Sequence, residues 1–172
     1  MFSWVTTGDP SVSSDYSSDG LYSVWMAAYN NAFDGLDQGV TVPEWAEYGE
    51  IVFSWIMFSD DSPTQIYDVL SVGVTDESTE VIAQTMITNS EPRGAWYRVR
   101  LPVNNISSYR GRVVHAYAAA MTDESLPTEW FIDNVQLFFV CGSEQVTRSE
   151  TERQEFLGSF PRIAKTGPRE TQ

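Results

Sequence analysis

The chain has 172 residues, 24 acids against 10 bases, and a formal net charge of −14. Hydrophobic residues make up 42% and aromatics 13%, enough for a packed core, which excludes a wholly disordered chain. The charge excludes a broad nucleic-acid surface and an anionic membrane surface, because both need clustered Lys and Arg. No apolar run approaches the ~18 residues of a spanning helix, so membrane insertion is not expected. One cysteine, Cys141, excludes an intrachain disulfide and a cysteine zinc cage. One histidine, His115, excludes a His/His metal pair. The opening residues, Met1-Phe2-Ser3-Trp4-Val5, hold neither the basic segment nor the apolar run of a secretory signal.

Charge is segregated along the chain. Residues 1–92 contain most of the acids and no Lys or Arg, whereas acids and bases nearly balance over residues 93–172. Such an acidic half reads either as a solvated surface or as a source of hard oxygen ligands for a cation such as calcium. No EF-hand loop is present.

Taken in order, the elements are short β-runs rich in Val, Ile, Tyr, Phe and Trp. They span 20–29, 35–42, 50–58, 67–75, 80–87, 95–101, 112–121 and 130–139. Turn clusters separate them, among them Asp34-Gly35, Ser59-Asp60-Asp61-Ser62-Pro63 and Thr122-Asp123-Glu124. No long 3.6-period segment intervenes, so there is no room for βαβ crossovers. The pattern predicts an all-β, two-sheet antiparallel jelly-roll β-sandwich over residues 2–140. Residues 141–172 form a polar C-terminal tail, expected to be partly disordered or short-helical. Ser149-Glu150-Thr151-Glu152 fits a capping box there, and Gly158 fits a helix end. Phe156, Leu157, Phe160 and Ile163 punctuate that tail and could dock it on this or another chain.

Strand alternation then ranks the side chains. In 130–139, Phe131, Asp133, Val135, Leu137 and Phe139 share the more apolar parity, which puts the Asp133 carboxylate toward the core. A buried carboxylate needs a metal, a paired charge or N–H and O–H donors. Asp68 alternates with Leu70, Val72 and Val74 in the same way; a salt bridge to an arginine or a strand-end contact would satisfy it, as would joining an ion site. In 112–121, Val114, Ala116, Ala118 and Ala120 face inward and leave Val113, His115, Tyr117 and Ala119 outside. Arg98 and Arg100 share a parity in 95–101. If the two strands are neighbours, Arg98, Arg100, His115 and Tyr117 form an aromatic–cationic patch suited to a sugar; otherwise they are ordinary outer-face residues. Most of the six tryptophans are expected in the core, with Trp45 the exposed one. No nucleophile elbow, zinc-protease helix, P-loop or dinucleotide fingerprint occurs, and no catalytic set emerges.

One ordered set of residues resembles a known family. Asp19-Gly20-Leu21-Tyr22-Ser23-Val24-Trp25 opens it, followed by Leu36-Asp37-Gln38-Gly39-Val40-Thr41-Val42-Pro43. Gly94-Ala95-Trp96-Tyr97-Arg98-Val99 and Ile106-Ser107-Ser108-Tyr109-Arg110-Gly111 come next, and Pro127-Thr128-Glu129-Trp130-Phe131-Ile132-Asp133-Asn134-Val135 closes it. Over residues 2–140 this is similar to the MAM-like and galactose-binding-like jelly-roll modules. Those modules are appended to secreted bacterial peptidases of the immune-inhibitor type and to cell-surface proteins. Ala118, where the family has a large aromatic, and Asn134, where it has a second Asp, depart from the pattern. The resemblance implies a non-catalytic accessory module, extracellular or at the cell surface, that binds a glycan or a protein surface or stabilises its parent. It implies association with a secreted hydrolase or peptidase. It also implies a structural calcium ion, with Asp133, Asp19 and the carbonyl of Gly20 as ligands. The rival classes are a structural or adhesive component of a surface layer, filament or virion, and a glycan-active enzyme.

Overall fold

The computed structural model describes residues 4–142. The expected tail therefore lies outside the described residues, apart from Cys141 and Gly142. Ten strands follow in order: β1 (Val5–Thr7), β2 (Ser11–Ser13), β3 (Ser23–Met26), β4 (Phe33–Thr41), β5 (Tyr48–Phe58), β6 (Val69–Asp76), β7 (Val81–Thr88), β8 (Tyr97–Val103), β9 (Val113–Met121) and β10 (Glu129–Val140). A single 3-10 turn, Ile106–Tyr109, precedes β9. The strands form two antiparallel five-stranded sheets. The first sheet runs β1-β4-β9-β6-β7 and the second β2-β3-β10-β5-β8. The expected β-sandwich is what the chain forms.

The layers meet through unequal partners. The inward residues of β9 are small: Ala116, Ala118 and Ala120, with Val114. In the second sheet β5 and β10 supply Phe53, Trp55, Met57, Trp130 and Ile132 to the same core. Large side chains on one layer and small ones on the other fill the space at interior density. This accounts for Ala118 at a position where an aromatic was the expected type.

Two departures from the expected strands have local causes. The run 20–29 shrinks to β3, since Ala27 takes a positive φ of 58° just after Met26 and Gly20 takes one of 68° before Ser23. The short β1 and β2 were not foreseen, because most of their residues are exposed and show no alternation between apolar and polar.

Acids close the turns. The Asp34 carboxylate in β4 is 1% exposed and accepts from Asp9 N–H, Ala27 N–H and the Tyr29 hydroxyl at 2.7–2.8 Å. That bond, ahead of burial, pushes the Tyr29 phenol above its ordinary value. Asp76 ends β6 and accepts from Ser78 N–H, Ser78 Oγ and Glu80 N–H. The Ser78 hydroxyl is the main cause that holds the Asp76 carboxyl below its ordinary value. Asp68 accepts from Asp123 N–H and Thr128 N–H at a strand end, in place of the expected arginine. Replacing Asp34 with Ala leaves the buried Ala27 N–H, the Asp9 N–H and the Tyr29 phenol without their acceptor. Chemical denaturation should show a loss of roughly 3 kcal/mol or more, against well under 1 kcal/mol for an exposed acid such as Glu44.

Candidate functional site

The outer face of the first sheet carries a tyrosine, Tyr117, between Gly73 on one neighbouring strand and Asp37 on the other. Its central row is a set of directly paired residues on five strands: Val5, Asp37, Tyr117, Gly73 and Gln84. On one side lies the row Gly39, His115, Thr75. On the other lies Thr7, Gly35, Ala119, Ser71, Met86, followed by Phe33, Met121, Val69, Thr88. All of these point away from the core, because their strand neighbours Leu36, Val72, Val74, Ala83, Ala116 and Ala118 point into it. At ~4.8 Å per strand the five-residue row is about 19 Å wide.

Glycine is required at the floor. A Cβ on Gly73 would stand 2.2 Å from the Ala83 carbonyl oxygen and 3.0 Å from Tyr117 Cε1. One on Gly39 would meet Val113 Cγ1 at 3.2 Å and His115 Cε1 at 3.5 Å. The Tyr117 and His115 rings therefore lean over bare backbone. Their polar atoms are held from both sides. His115 Nδ1 and Asp37 Oδ1 are 2.9 Å apart, and both side chains remain partly open to water. The Tyr117 hydroxyl and Ser71 Oγ are 3.2 Å apart, and Gln84 Nε2 donates to Ser71 Oγ at 2.8 Å. Phe33, Met86 and Met121 flank the platform at 55%, 61% and 42% exposure. Among the described residues these rows contain no Lys or Arg. Such a surface offers an aromatic face with a ring of oriented donors and acceptors.

The expected four-residue patch does not assemble. His115 and Tyr117 stand on β9 in the first sheet, whereas Arg98 and Arg100 stand on β8 in the second, on the opposite side of the sandwich. Parity within each strand was right, but β8 and β9 pair with different partners. Arg100 is engaged on its own layer by Glu50, at 2.9 Å from Nε to Oε1 and 2.5 Å from Nη2 to Oε2. The residues that do surround Tyr117, namely Asp37, Ser71 and Gln84, went unrecognised. Gly35-x-Asp37-x-Gly39 and Ser71-x-Gly73 were the available signal, since small residues at one parity leave that face open.

The expected metal site is also revised. A bulge between Asp133 and Gln136, with Asn134 at φ 54°, switches the parity of β10. Trp130 and Ile132 face the core before it, and Val135, Leu137 and Phe139 after it. Asp133 and Phe131 consequently lie on the outer face of the second sheet. Phe131 is closed off there by Tyr16, Trp25 and Phe58, with ring centroids 4.9–6.3 Å away. Asp133 Oδ2 accepts from Ser18 N–H, Ser18 Oγ and Asp19 N–H at 2.8–3.1 Å, and Oδ1 accepts from Asn134 N–H at 2.7 Å. The Asp19 carboxylate accepts from Gly20 N–H. Four donors on its two oxygens leave the Asp133 carboxylate little room to take a cation as well. Among the described residues no group of three or more His, Cys, Asp and Glu side chains is placed to hold a metal ion. Trp45 is 53% exposed, as its polar loop implied.

A recess of about 460 Å³ lies between the layers beside Trp4. It is lined by Val40, Val113, Ala116, Val135 and Leu137, with Gln38 and Thr41 as its polar side chains.

Comparison with known proteins agrees with the architecture. No family model and no curated protein matches the chain. Among solved structures, TmCBM61 in complex with β-1,4-galactotriose is 17% identical, with a TM-score of 0.56 over 80% of this chain and 88% of that one. A CBM4 structure is 10% identical, with a TM-score of 0.52 over 80% and 94%. The C-terminal family 22 carbohydrate-binding module of Clostridium thermocellum Xyn10B is 14% identical, with a TM-score of 0.52 over 81% and 86%. At these identities the likeness shows a shared β-sandwich fold. Among the described residues no helix is long and apolar enough to cross a membrane.

Asp133 acts here as a fastener for the loop 16–20. Replacing it with Ala should release that loop, with faster amide exchange at Ser18 and Asp19 and a stability loss of roughly 2–4 kcal/mol.

Proposed function

We propose that the chain is a non-catalytic carbohydrate-binding module whose ligand lies across Tyr117 on the outer face of the first sheet. The observation that carries this reading is the Tyr117 ring lying over Gly73, between the Asp37–His115 pair and the Ser71–Gln84 pair. A pyranose has one face of C–H groups and a rim of hydroxyls. The ring offers contact for the first, and the carboxylate, imidazole and amide offer hydrogen bonds for the second. Without Lys or Arg on these rows the ligand is a neutral sugar, since a uronate or sulfate would meet Asp37 with nothing to balance it. The sandwiches of similar fold named as carbohydrate-binding modules support the reading. An extracellular or surface location, and attachment to a hydrolase or peptidase, belong to the same proposal. The exposed row Phe33–Met121 favours a second reading, an adhesive contact with a protein.

Binding to a panel of neutral and acidic glycans, followed by titration calorimetry, tests the proposal. Tyr117→Ala should abolish binding or weaken it at least ~10-fold, equivalent to about 1.4 kcal/mol. Arg98→Ala and Arg100→Ala, on the far layer, should leave it unchanged. A panel without binders, or binding unaffected by Tyr117→Ala, overturns the assignment.

A structural calcium ion, implied by the resemblance, remains a proposal to be measured. Because the Asp133 carboxylate is already filled by donors, thermal melting in excess calcium and in EGTA should give the same midpoint. A clear rise with calcium would overturn that expectation, and its loss in Asp133→Ala would make Asp133 a ligand.

A further inference from the structure

The end of the sandwich where β5, β7 and β9 finish holds two carboxyl groups out of water. Asp61 is 4% exposed and Asp68 0%. Asp68 has both oxygens engaged, Oδ1 by Asp123 N–H and Oδ2 by Thr128 N–H, each at 2.9 Å. Asp61 lies within hydrogen-bonding reach of Asp68, yet no donor meets its buried Oδ2. Two ionised carboxylates offer each other only lone pairs, so the contact bonds only if one of them carries a proton. Asp68 is fixed as an acceptor by two N–H groups, which puts the proton on Asp61.

The surrounding charges favour that arrangement. Asp123, from the loop between β9 and β10, adds a third negative group. Arg93, from the loop between β7 and β8, is the cation that acts on Asp61 among the described residues. Its guanidinium donates to the main-chain carbonyls of Ser59, Asp61 and Asn89. Burial first, then the bond to Asp68, push the Asp61 carboxyl up to about 6.

We propose that Asp61 and Asp68 share one buried proton within the loop 59–68, at the point where the loops 89–96 and 122–128 meet it. Each loop reaches the pair: the first supplies both acids, the second brings Arg93, and the third donates the Asp123 and Thr128 N–H groups. Removing the proton leaves adjacent like charges in a dry site, next to the ends of β6, β9 and β10.

The folded state holds the Asp61 proton more tightly than the unfolded chain, whose carboxyl stays near 3.8. The contribution to stability is therefore full below 3.8, falls as pH rises toward about 6, and is flat above that.

The test is a thermal melt of the full chain against pH, alongside Asp61→Asn. The amide can still donate to Asp68 and cannot ionise. The midpoint of the natural chain should fall relative to the variant as pH rises through the window, and the variant should melt several degrees higher at about pH 7. Parallel profiles, or a variant less stable at that pH, overturn the proposal. Carboxyl carbon NMR of the natural chain needs no variant. One buried aspartate titrating near 6 is expected, and all aspartates titrating in the ordinary range near 4 overturns the proposal. Calcium raising the midpoint of the natural chain above pH 6 but not that of Asp61→Asn would make the pair a cation site and also overturn it.

Discussion

Strand β9 is hydrogen-bonded along both edges, by β4 over its full length and by β6 over nearly all of it. Its side chains alternate strictly between the core and the outer face. A slip of one residue against either neighbour would bring His115 and Tyr117 inside and put three alanines out, so the register is tightly specified. The candidate site inherits that precision. Tyr117 lies over Gly73 because the two are direct cross-strand partners, and the same pairing places Asp37 on its other side. The platform is built entirely on strands, with no loop required to order its central row.

Much of this was legible in the residues. Eight of the strands, the two-layer architecture and the inward face of β9 follow from alternation and from turn chemistry. Two kinds of feature did not. The first is which strands become neighbours. Arg98 and Arg100 were placed correctly on the outer side of β8, but alternation carries no information about the sheet to which a strand belongs, and the pairing of β8 with β5 decides that. The second is the bulge at Asn134. One extra residue in β10 reverses the parity of everything before it relative to everything after it. The apolar pattern Phe131-x-Asp133-x-Val135-x-Leu137 reads as continuous in sequence although it changes face in space. Phe131 conceals the switch, because it is buried on the outer side of its sheet by other aromatics.

The acids of the first half of the chain take on a different meaning once their partners are known. Asp34, Asp68 and Asp76 each accept main-chain N–H groups at the ends of strands, and Asp133 does the same from β10. A carboxylate that gathers several N–H donors draws them into a tight turn, which is the geometry a sandwich with many short connections needs. Asp61 is the exception that calls for a proton, since its buried neighbour is another carboxylate.

The loop acids respond to ionic strength differently from exposed ion pairs. The bonds from N–H to carboxylate are short and partly or wholly shielded, so dissolved ions hardly reach them, whereas the mutual repulsion of a chain carrying −14 acts through solvent and is damped over about 10 Å at 0.1 M salt. Added salt thus lowers that repulsion without loosening the bonds that close the turns.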